Sequence, residues 1–376
     1  MRTRRHGCPV RTATARSDDV EAWLRFALAP KLGPAKQRRL LAAFGGPQEV
    51  LDAPAAEVTR VAGPAAADAL SAAADSALVS HTLSWLREAD NHLLSLADTR
   101  YPRPLLEIAD PPVLLFAKGR LDLLDHPAIA IVGSRQATPR GMRDAEAFAQ
   151  TLSNVGLTIV SGLALGIDSA AHRGGLAGIG SSIAVVGTGL DKVYPARNRD
   201  LAHRLAAEGL LLSEFPLGTA PLAANFPRRN RVISGLVQGC LIVEAALPSG
   251  SLITARQALE QGREVFAIPG SIHSPVSKGC HWLIKQGAKL VETAEDVLEE
   301  IGLASASAEM RQGEHTPPLQ MQESAVLAAM SFAPVDVDTI CERAGLTPDA
   351  ASAILLKLEL DGYVSRLPGG LLQRMR

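Results

Sequence analysis

The segment Asn225–Arg231 holds the densest group of anion-binding side chains in the sequence. Its three arginines and two asparagines lie directly before an apolar helical stretch, Val232–Val237. Positive charge at a helix N-terminus is unfavourable unless an anion or a carboxylate compensates it. The pattern therefore predicts either a phosphate site or an internal ion-pair network with Glu214 and Glu244 as partners. Phe226 offers a face for stacking on a base, or else anchors the segment in the core.

Small polar residues also follow the predicted strands. Gly133-Ser134-Arg135 follows the first strand, Ser161–Asp168 the second, and Pro248–Thr254 a later one. The carboxyl ends of parallel strands meet at one edge of a sheet, where helix N-termini attract anions. We therefore expect one phosphate pocket, although each loop alone is also typical of an ordinary turn. The candidate contacts are Gly133, Ser134, Arg135, Ser161, Gly162, Gly166, Arg228, Arg229, Asn230, Arg231, Ser249, Gly250, Ser251 and Lys278.

Asp168 and His172 are one helical turn apart, so their side chains can share one face of a helix. A catalytic pair is conceivable, but a structural cap beside a hydrogen-bonded histidine is the favoured interpretation. No serine or cysteine is placed to complete a catalytic triad. We therefore expect Asp168, His172, Glu214 and Glu244 to orient the site rather than to react.

Cofactor, metal and membrane sites are disfavoured. The loop after the first strand lacks the glycine spacing of a dinucleotide fingerprint, and Ser161 stands where that motif has an acidic residue. The four cysteines lack the paired spacing of zinc sites or disulfides, which favours a reducing cytoplasm. No apolar run approaches the roughly 20 residues that span a bilayer. With 38 basic and 39 acidic residues, net charge predicts no partner.

The centre of the chain alternates short apolar segments with stretches of helical length. The candidate strands are Ala128–Val132, Leu157–Val160, Ser182–Val186, Leu210–Leu212, Leu241–Val243 and Val265–Ile268. They are rich in Ile, Val and Leu, which is the βαβ pattern of a mostly parallel sheet covered on both faces. The sequence predicts an α/β, doubly wound, Rossmann-like domain over residues 99–302.

Helical patterns flank this domain. Residues 19–98 are alanine-rich and helical to about Leu94, with Gly-Pro breaks at Lys31–Pro34 and Val61–Pro64. These breaks indicate either a tandem helix-hairpin-helix unit or a small helical bundle. Residues 1–18 predict a disordered basic tail, and the polar residues 303–318 predict a linker. Three helical patterns and a hairpin over residues 319–376 predict a winged helix, a module of the helix-turn-helix class.

Taken in order, these motifs closely resemble the DprA/Smf family of DNA-processing proteins. The set comprises Gly133-Ser134-Arg135, Ser161–Asp168, Tyr194-Pro195, Ser213-Glu214, Phe226–Arg231, Glu244, Ser249-Gly250-Ser251 and Pro269-Gly270-Ser271, between Tyr101 and Ile301. The flanks agree, because the family often has an N-terminal sterile-alpha-motif-like domain and a C-terminal winged helix.

The resemblance implies a non-catalytic, cytoplasmic protein that binds single-stranded DNA in natural transformation and recombination. It implies protection of incoming DNA, loading of the RecA recombinase, and displacement of or cooperation with single-strand-binding protein. It also implies a homodimer through the Rossmann-like domain, with no cofactor, nucleotide hydrolysis or membrane. Carried over residue by residue, Arg135 and Arg229-Asn230-Arg231 hold DNA phosphates, while Ser161, Gly162 and Ser249–Ser251 line the same pocket.

Two other classes of function stay open. Rossmann-like phosphoribohydrolases need a carboxylate at the glycosidic carbon of a nucleoside monophosphate, and Glu244 or Asp168 can be nominated for it. A scaffold that binds only the recombinase needs no phosphate pocket. The winged helix has its own hypothesis. Its third helix carries Asp349, Lys357, Glu359 and Asp361, a poor surface for a polyanion, so a protein contact or a dimer-supporting role is expected.

Overall fold

The computed structural model describes residues 17–72, 75–303, 321–330, 334–367 and 370–375. The predicted tail, residues 1–18, and linker, residues 303–318, lie almost entirely outside the described residues. At the end of the tail, helix α1 already begins at Ser17.

The N-terminal region is helical. Its helices are α1 (Ser17–Ala27), α2 (Pro34–Phe44), α3 (Pro47–Asp52), α4 (Ala55–Ala62), α5 (Pro64–Ser71) and α6 (Ser76–Trp85). Pro34 and Pro64 occupy the first turns of α2 and α5, where the missing amide costs nothing. Gly63 has a positive φ of 86°, but at the first break the positive φ belongs to Lys31 (63°). Gly33 is instead the extended N-cap of α2.

A sheet of nine strands, counted over the described residues, forms the centre. Its strands are β1 (Asn91–Ser95), β2 (Leu114–Gly119), β3 (Ala128–Val132), β4 (Thr158–Ser161), β5 (Ser182–Val185), β6 (Leu210–Ser213), β7 (Gly239–Ile242), β8 (Glu264–Ala267) and β9 (Lys289–Leu290). The order is β1-β2-β6-β5-β4-β3-β7-β8-β9. Strands β3 to β9 pair in parallel, and β2 joins β6 and β1 antiparallel. The predicted mostly parallel sheet is confirmed.

Three strands of this sheet were not predicted. The expectation of helix to about Leu94 is wrong, because Asn91–Ser95 pairs with β2 and Leu94 is fully buried in the sheet core. Tertiary packing here decides the structure of a segment with weak local preference. Strand β2 follows a proline-rich connector, and β9 has only two residues. The large sheet therefore begins inside the predicted region 19–98, and the domain limits themselves stay predictions.

Helices cover both faces of the sheet. They are α7 (Arg103–Leu106), α8 (Pro139–Asn154), α9 (Ile167–Ala177), α10 (Arg199–Glu208), α11 (Asn225–Gly235), α12 (Gly250–Glu260), α13 (Lys278–Lys285) and α14 (Ala294–Glu300). Apolar residues of α8, α9 and α14 pack on one face, and those of α11, α12 and α13 on the other. The chain runs outward from β3 to β6 and then returns to place β7 on the other side of β3. Ligands of doubly wound sheets bind at such a switch point.

The C-terminal region has the predicted winged-helix architecture. It contains α15 (Met321–Ala329), α16 (Val337–Ala344), α17 (Pro348–Leu360) and an antiparallel hairpin of β10 (Val364–Arg366) and β11 (Leu372–Arg374). The module rests on α8, where Arg140 Nη1 donates to the Met375 carbonyl (2.9 Å) and Arg143 Nη1 to the Gly362 carbonyl (2.7 Å). Over the described residues, every helix is too short or too polar to cross a membrane.

Candidate functional site

One cavity of about 730 Å³ opens at the switch point. Its walls are the loop after β3, the N-terminal half of α11 and the N-terminus of α12. It brings together the predicted residues Gly133, Ser134, Arg135, Asp168, Phe226, Arg229, Asn230, Ser249, Gly250 and Ser251. The loops thus converge as expected, and what they bind stays a prediction.

Arg135 is an exposed cation of this cavity. Its guanidinium carbon lies 5.6 Å from the centre of the Phe226 ring, which in turn lies 5.7 Å from the centre of the Tyr194 ring. In the described part of the chain, this guanidinium forms no ion pair or hydrogen bond. It can therefore meet an incoming anion without first breaking an ion pair or a hydrogen bond.

The N-terminus of α12 forms another wall of the cavity. Ser249 is the N-cap: its hydroxyl accepts a hydrogen bond from the Ser251 amide (3.3 Å) and lies 2.7 Å from the Ser251 hydroxyl. The first turn of α12 has no acidic residue, so its positive dipole end is not compensated there. This end of the cavity is suited to a phosphate.

Helix α11 begins at Asn225, so the expectation that its arginines precede the helix is wrong. Pro227 lies in the first helical turn, where proline is tolerated, so it does not interrupt the helix. Successive residues of a helix point in different directions. The three arginines are therefore separated: Arg229 lines the cavity, whereas Arg228 and Arg231 do not.

Arg229 forms part of the floor of the cavity. It is only 4% exposed, and its Nη1 donates to the Val185 carbonyl (2.7 Å). The guanidinium lies against Gly162, where a Cβ atom would overlap it. Burial lowers the pKa of Arg229 to about 10, an effect that the nearby Asp168 carboxylate opposes. Gly162 therefore makes room for Arg229 rather than lining the cavity itself.

Arg228 and Arg231 bind Glu214 instead of facing the cavity. Arg228 Nε lies 3.1 Å from Glu214 Oε1, and the buried Arg231 pairs with Glu214 and with Asp110 (3.3 Å). Asp110 also pairs with Arg38 of α2, so the network joins α11 to the N-terminal helices. The sequence left open whether these arginines meet a phosphate or an internal carboxylate. Both pair with Glu214, so their placement does not favour phosphate contact.

Ser161 and Gly166 also lie outside the cavity lining. Ser161 is buried, and its hydroxyl donates to the Ile131 carbonyl (2.7 Å). Gly166 has a φ of 77° and packs against the Ser134 carbonyl, which leaves no room for a Cβ atom. Both residues support the loops of the cavity from behind.

Glu244 and Lys278 are occupied elsewhere. Glu244 accepts hydrogen bonds from the amide (2.9 Å) and hydroxyl (2.6 Å) of Thr138, the N-cap of α8, and lines a separate cavity of about 490 Å³. It is therefore not the partner of the α11 arginines. Lys278 Nζ donates to the Ile272 carbonyl. Among the described residues, no group of three or more His, Cys, Asp or Glu side chains is arranged to hold a metal ion.

Asp168 and His172 are both buried and bind one loop rather than each other. Asp168 Oδ2 accepts hydrogen bonds from two amides of the Gly162–Ala164 loop (3.2 and 3.3 Å), and His172 Nε2 accepts from the amide between them (3.2 Å). Burial raises the pKa of Asp168, while Arg229 and these amides oppose the rise. These contacts favour the structural interpretation of the pair, which stays a prediction.

His172 makes stability depend on pH. The Ser182 hydroxyl donates to the Ile159 carbonyl, so it accepts from His172 Nδ1–H, and Nε2 must stay unprotonated. Burial, with Arg229 and Arg173 nearby, lowers the pKa of His172 to about 3. Because this pKa lies below the pKa of His172 in the unfolded chain, neutral His172 contributes its full stability above about pH 6.5. That contribution is lost as the pH falls toward the folded-state pKa.

We therefore expect the wild type to lose more free energy of unfolding between pH 7 and pH 5 than the variant His172→Gln. Urea unfolding at a series of pH values measures both proteins, and Gln supplies an acceptor that does not titrate. Parallel pH profiles for the two proteins would contradict this assignment.

Two family models match the chain. The model of DNA recombination-mediator protein A matches residues 92–302, and that of the DprA winged helix domain matches residues 311–370. Protein Smf of Escherichia coli is 45% identical over 304 residues, which are 79% of this chain and 81% of that protein. DNA processing protein DprA of Streptococcus pneumoniae is 52% identical over 206 residues, 55% of this chain and 73% of that protein.

Solved structures show the same relationship. The crystal structure of Streptococcus pneumoniae DprA superposes with a TM-score of 0.65 at 41% identity, covering 73% of this chain and 95% of that one. DprA of Helicobacter pylori, whose structure is described in terms of its single-stranded DNA binding mode, gives a TM-score of 0.51 at 30% identity, covering 56% and 95%.

Proposed function

This chain belongs to the DprA/Smf family of DNA-processing, recombination-mediator proteins, and on that premise we propose that it binds single-stranded DNA in the cavity beside Arg135. The observation that carries the proposal is an exposed guanidinium without an ion-pair or hydrogen-bond partner in the described chain, facing the same cavity as an uncompensated helix N-terminus. Both features favour phosphate, and neither selects a base. The DNA-binding relative from Helicobacter pylori supports the same ligand.

A single strand suits this cavity better than a duplex. Phe226 and Tyr194 line it beside the Arg135 guanidinium, so aromatic and cationic groups are interleaved. Unpaired bases can stack on aromatic rings while their phosphates meet cations, and every base has a π-face. We therefore expect little sequence preference.

The test is a gel-shift comparison of an oligothymidylate with a duplex of equal length at low and high salt. We expect the single strand to bind more tightly, and its affinity to fall with salt by a log–log slope of about −0.7 for each phosphate neutralised. Equal affinity for both forms, or affinity that does not change with salt, would contradict the proposal.

The proposal extends to protection of incoming DNA and loading of RecA in natural transformation, with single-strand-binding protein as a further partner and a cytoplasmic location. It also includes a homodimer through the Rossmann-like domain. Trp282 of α13 (37% exposed) and Leu290 of the edge strand β9 (44% exposed) support that contact, since open sheet edges and exposed apolar side chains favour association. Sedimentation velocity of the full chain tests the dimer, and RecA filament assembly on coated single strands tests the loading.

The winged helix is proposed to contact protein rather than DNA. Lys357 of α17 pairs with Glu323, and Arg366 of β10 pairs with Glu359 (3.4 Å), so two of its few cations have carboxylate partners. Deleting residues 302–376 is expected to change the affinity for single strands by less than about twofold, because the phosphate contacts stay in place. The measurement is the gel shift above, with a thermal melt as the folding control. A tenfold loss of affinity in a folded truncation would overturn this assignment.

The two carboxylates nominated for nucleotide cleavage are both engaged in internal hydrogen bonds. Glu244 is held by Thr138 and lines a different cavity from Arg135, and Asp168 is engaged by two loop amides. We propose that the protein is not an enzyme. Incubation with nucleoside monophosphates should then release no free base.

A further inference from the structure

Arg135, Phe226 and Tyr194 form a three-membered cluster in the cavity lining, in which the guanidinium lies over the Phe226 ring and the Tyr194 ring is tilted by 41° against it. Phe226 is the middle member and is half-buried, with Arg135 and Tyr194 both against its ring. The Gly187 backbone also approaches it, since a Cβ atom there would lie 3.1 Å from the ring. Tyr194 is 46% exposed and lines the same cavity. Tyr194 therefore presents the more open aromatic surface of this cluster to the cavity.

The segment that follows Tyr194 is held in place by buried polar contacts. Asn198 is 7% exposed, and its Nδ2 donates to the Leu163 carbonyl (2.8 Å) and to Ser169 Oγ (2.9 Å). On the other side, the Thr188 hydroxyl donates to the Lys192 carbonyl (3.2 Å). A ring held in advance loses little entropy when a ligand stacks on it.

We propose that Tyr194, rather than Phe226, supplies the surface on which an unpaired base stacks, and that Phe226 holds the Tyr194 ring and the Arg135 guanidinium at a fixed spacing. The inference rests on the proposed function and deepens it, because it divides the site into a base-contacting part and a phosphate-contacting part. A base in a duplex has both faces covered, so this contact selects single strands without selecting sequence.

The experiment compares two strands of equal length, an oligothymidylate and an abasic phosphodeoxyribose chain, by fluorescence anisotropy. The proteins are the full-length wild type, Tyr194→Phe, Tyr194→Leu and Arg135→Ala, each checked by thermal melting. Leucine keeps apolar bulk at a half-exposed position and removes the π-face, whereas phenylalanine keeps the π-face.

We expect the wild type and Tyr194→Phe to bind the oligothymidylate about tenfold more tightly than the abasic chain. Tyr194→Leu is expected to lose that preference while its affinity for the abasic chain stays unchanged, and Arg135→Ala to lose affinity for both. If Tyr194→Leu keeps the tenfold preference, or loses affinity for both strands equally, the inference is wrong while the proposed function stands. If the wild type binds neither strand, both fail.

Discussion

Replacing Arg135 with alanine is expected to weaken the binding of single-stranded DNA by roughly ten- to a hundredfold, the loss that follows from removing one charge-assisted hydrogen-bonding group. Its guanidinium is exposed in the cavity and has no ion-pair partner over the described residues, so its N–H donors are available to phosphate. The log–log salt slope should become less steep by about 0.7, since one phosphate is no longer neutralised. Anisotropy titrations at three salt concentrations measure both quantities.

Arg204→Ala is the matched control for this experiment. Arg204 lies on α10, is 49% exposed and pairs with Glu208 (3.1 Å), outside the cavity lining. Its removal should change affinity by less than about twofold, because it lowers net charge equally without touching the site. Arg135→Lys should recover part of the loss, since a lysine keeps the charge but not the bidentate fork. Equal effects of the two alanine variants would mean that charge alone, and not this site, governs binding.

The second large effect is expected on stability. Glu214→Gln should lower the free energy of unfolding by about 3 kcal/mol, because it leaves the buried Arg231 without its closest carboxylate. The side chains of Glu214 and Arg231 are only 2% and 9% exposed, so water cannot replace the lost partner. Urea unfolding at pH 7 measures the change.

An exposed pair of the same type provides the comparison. Glu208→Gln breaks the ion pair between Glu208 (52% exposed) and Arg204 (49% exposed). It should lower the free energy of unfolding by less than about 0.5 kcal/mol. If Glu214→Gln costs as little, the network between α11 and the N-terminal helices contributes no more than a surface ion pair. The mutation should also lower DNA affinity, since the same helix presents Phe226 and Arg229 to the cavity.

The sequence predicted the sheet and the meeting point of its loops because these follow from repeated local patterns. Short Ile- and Val-rich runs separated by helical lengths leave few alternatives to parallel strands, and the carboxyl ends of such strands share one edge. The roles of individual side chains at that edge depend on direction as well as position. Arg228 and Arg231 are three residues apart, lie on one face of α11 and bind Glu214, whereas Arg229 points in another direction and lines the cavity.

Other features depended on contacts between distant parts of the chain. One of the two carboxylate partners of Arg231 is Asp110, which lies 121 residues away in the sequence. No local sequence pattern indicates that pairing. Gly162 looked like a ligand contact because glycines permit close approach, but the group that approaches it is Arg229. In the sequence, Tyr194 was only one member of the motif set that resembles the DprA/Smf family. Its place beside Phe226 depends on the fold, because the two residues are far apart along the chain.

The contact between α8 and the winged helix has a consequence for how the protein can vary. Arg140 and Arg143 donate hydrogen bonds to the backbone carbonyls of Met375 and Gly362. These bonds depend on the path of the backbone and not on which side chains the two residues carry. The module can therefore exchange its outward-facing residues, and with them its binding partner, while remaining fastened at the same place.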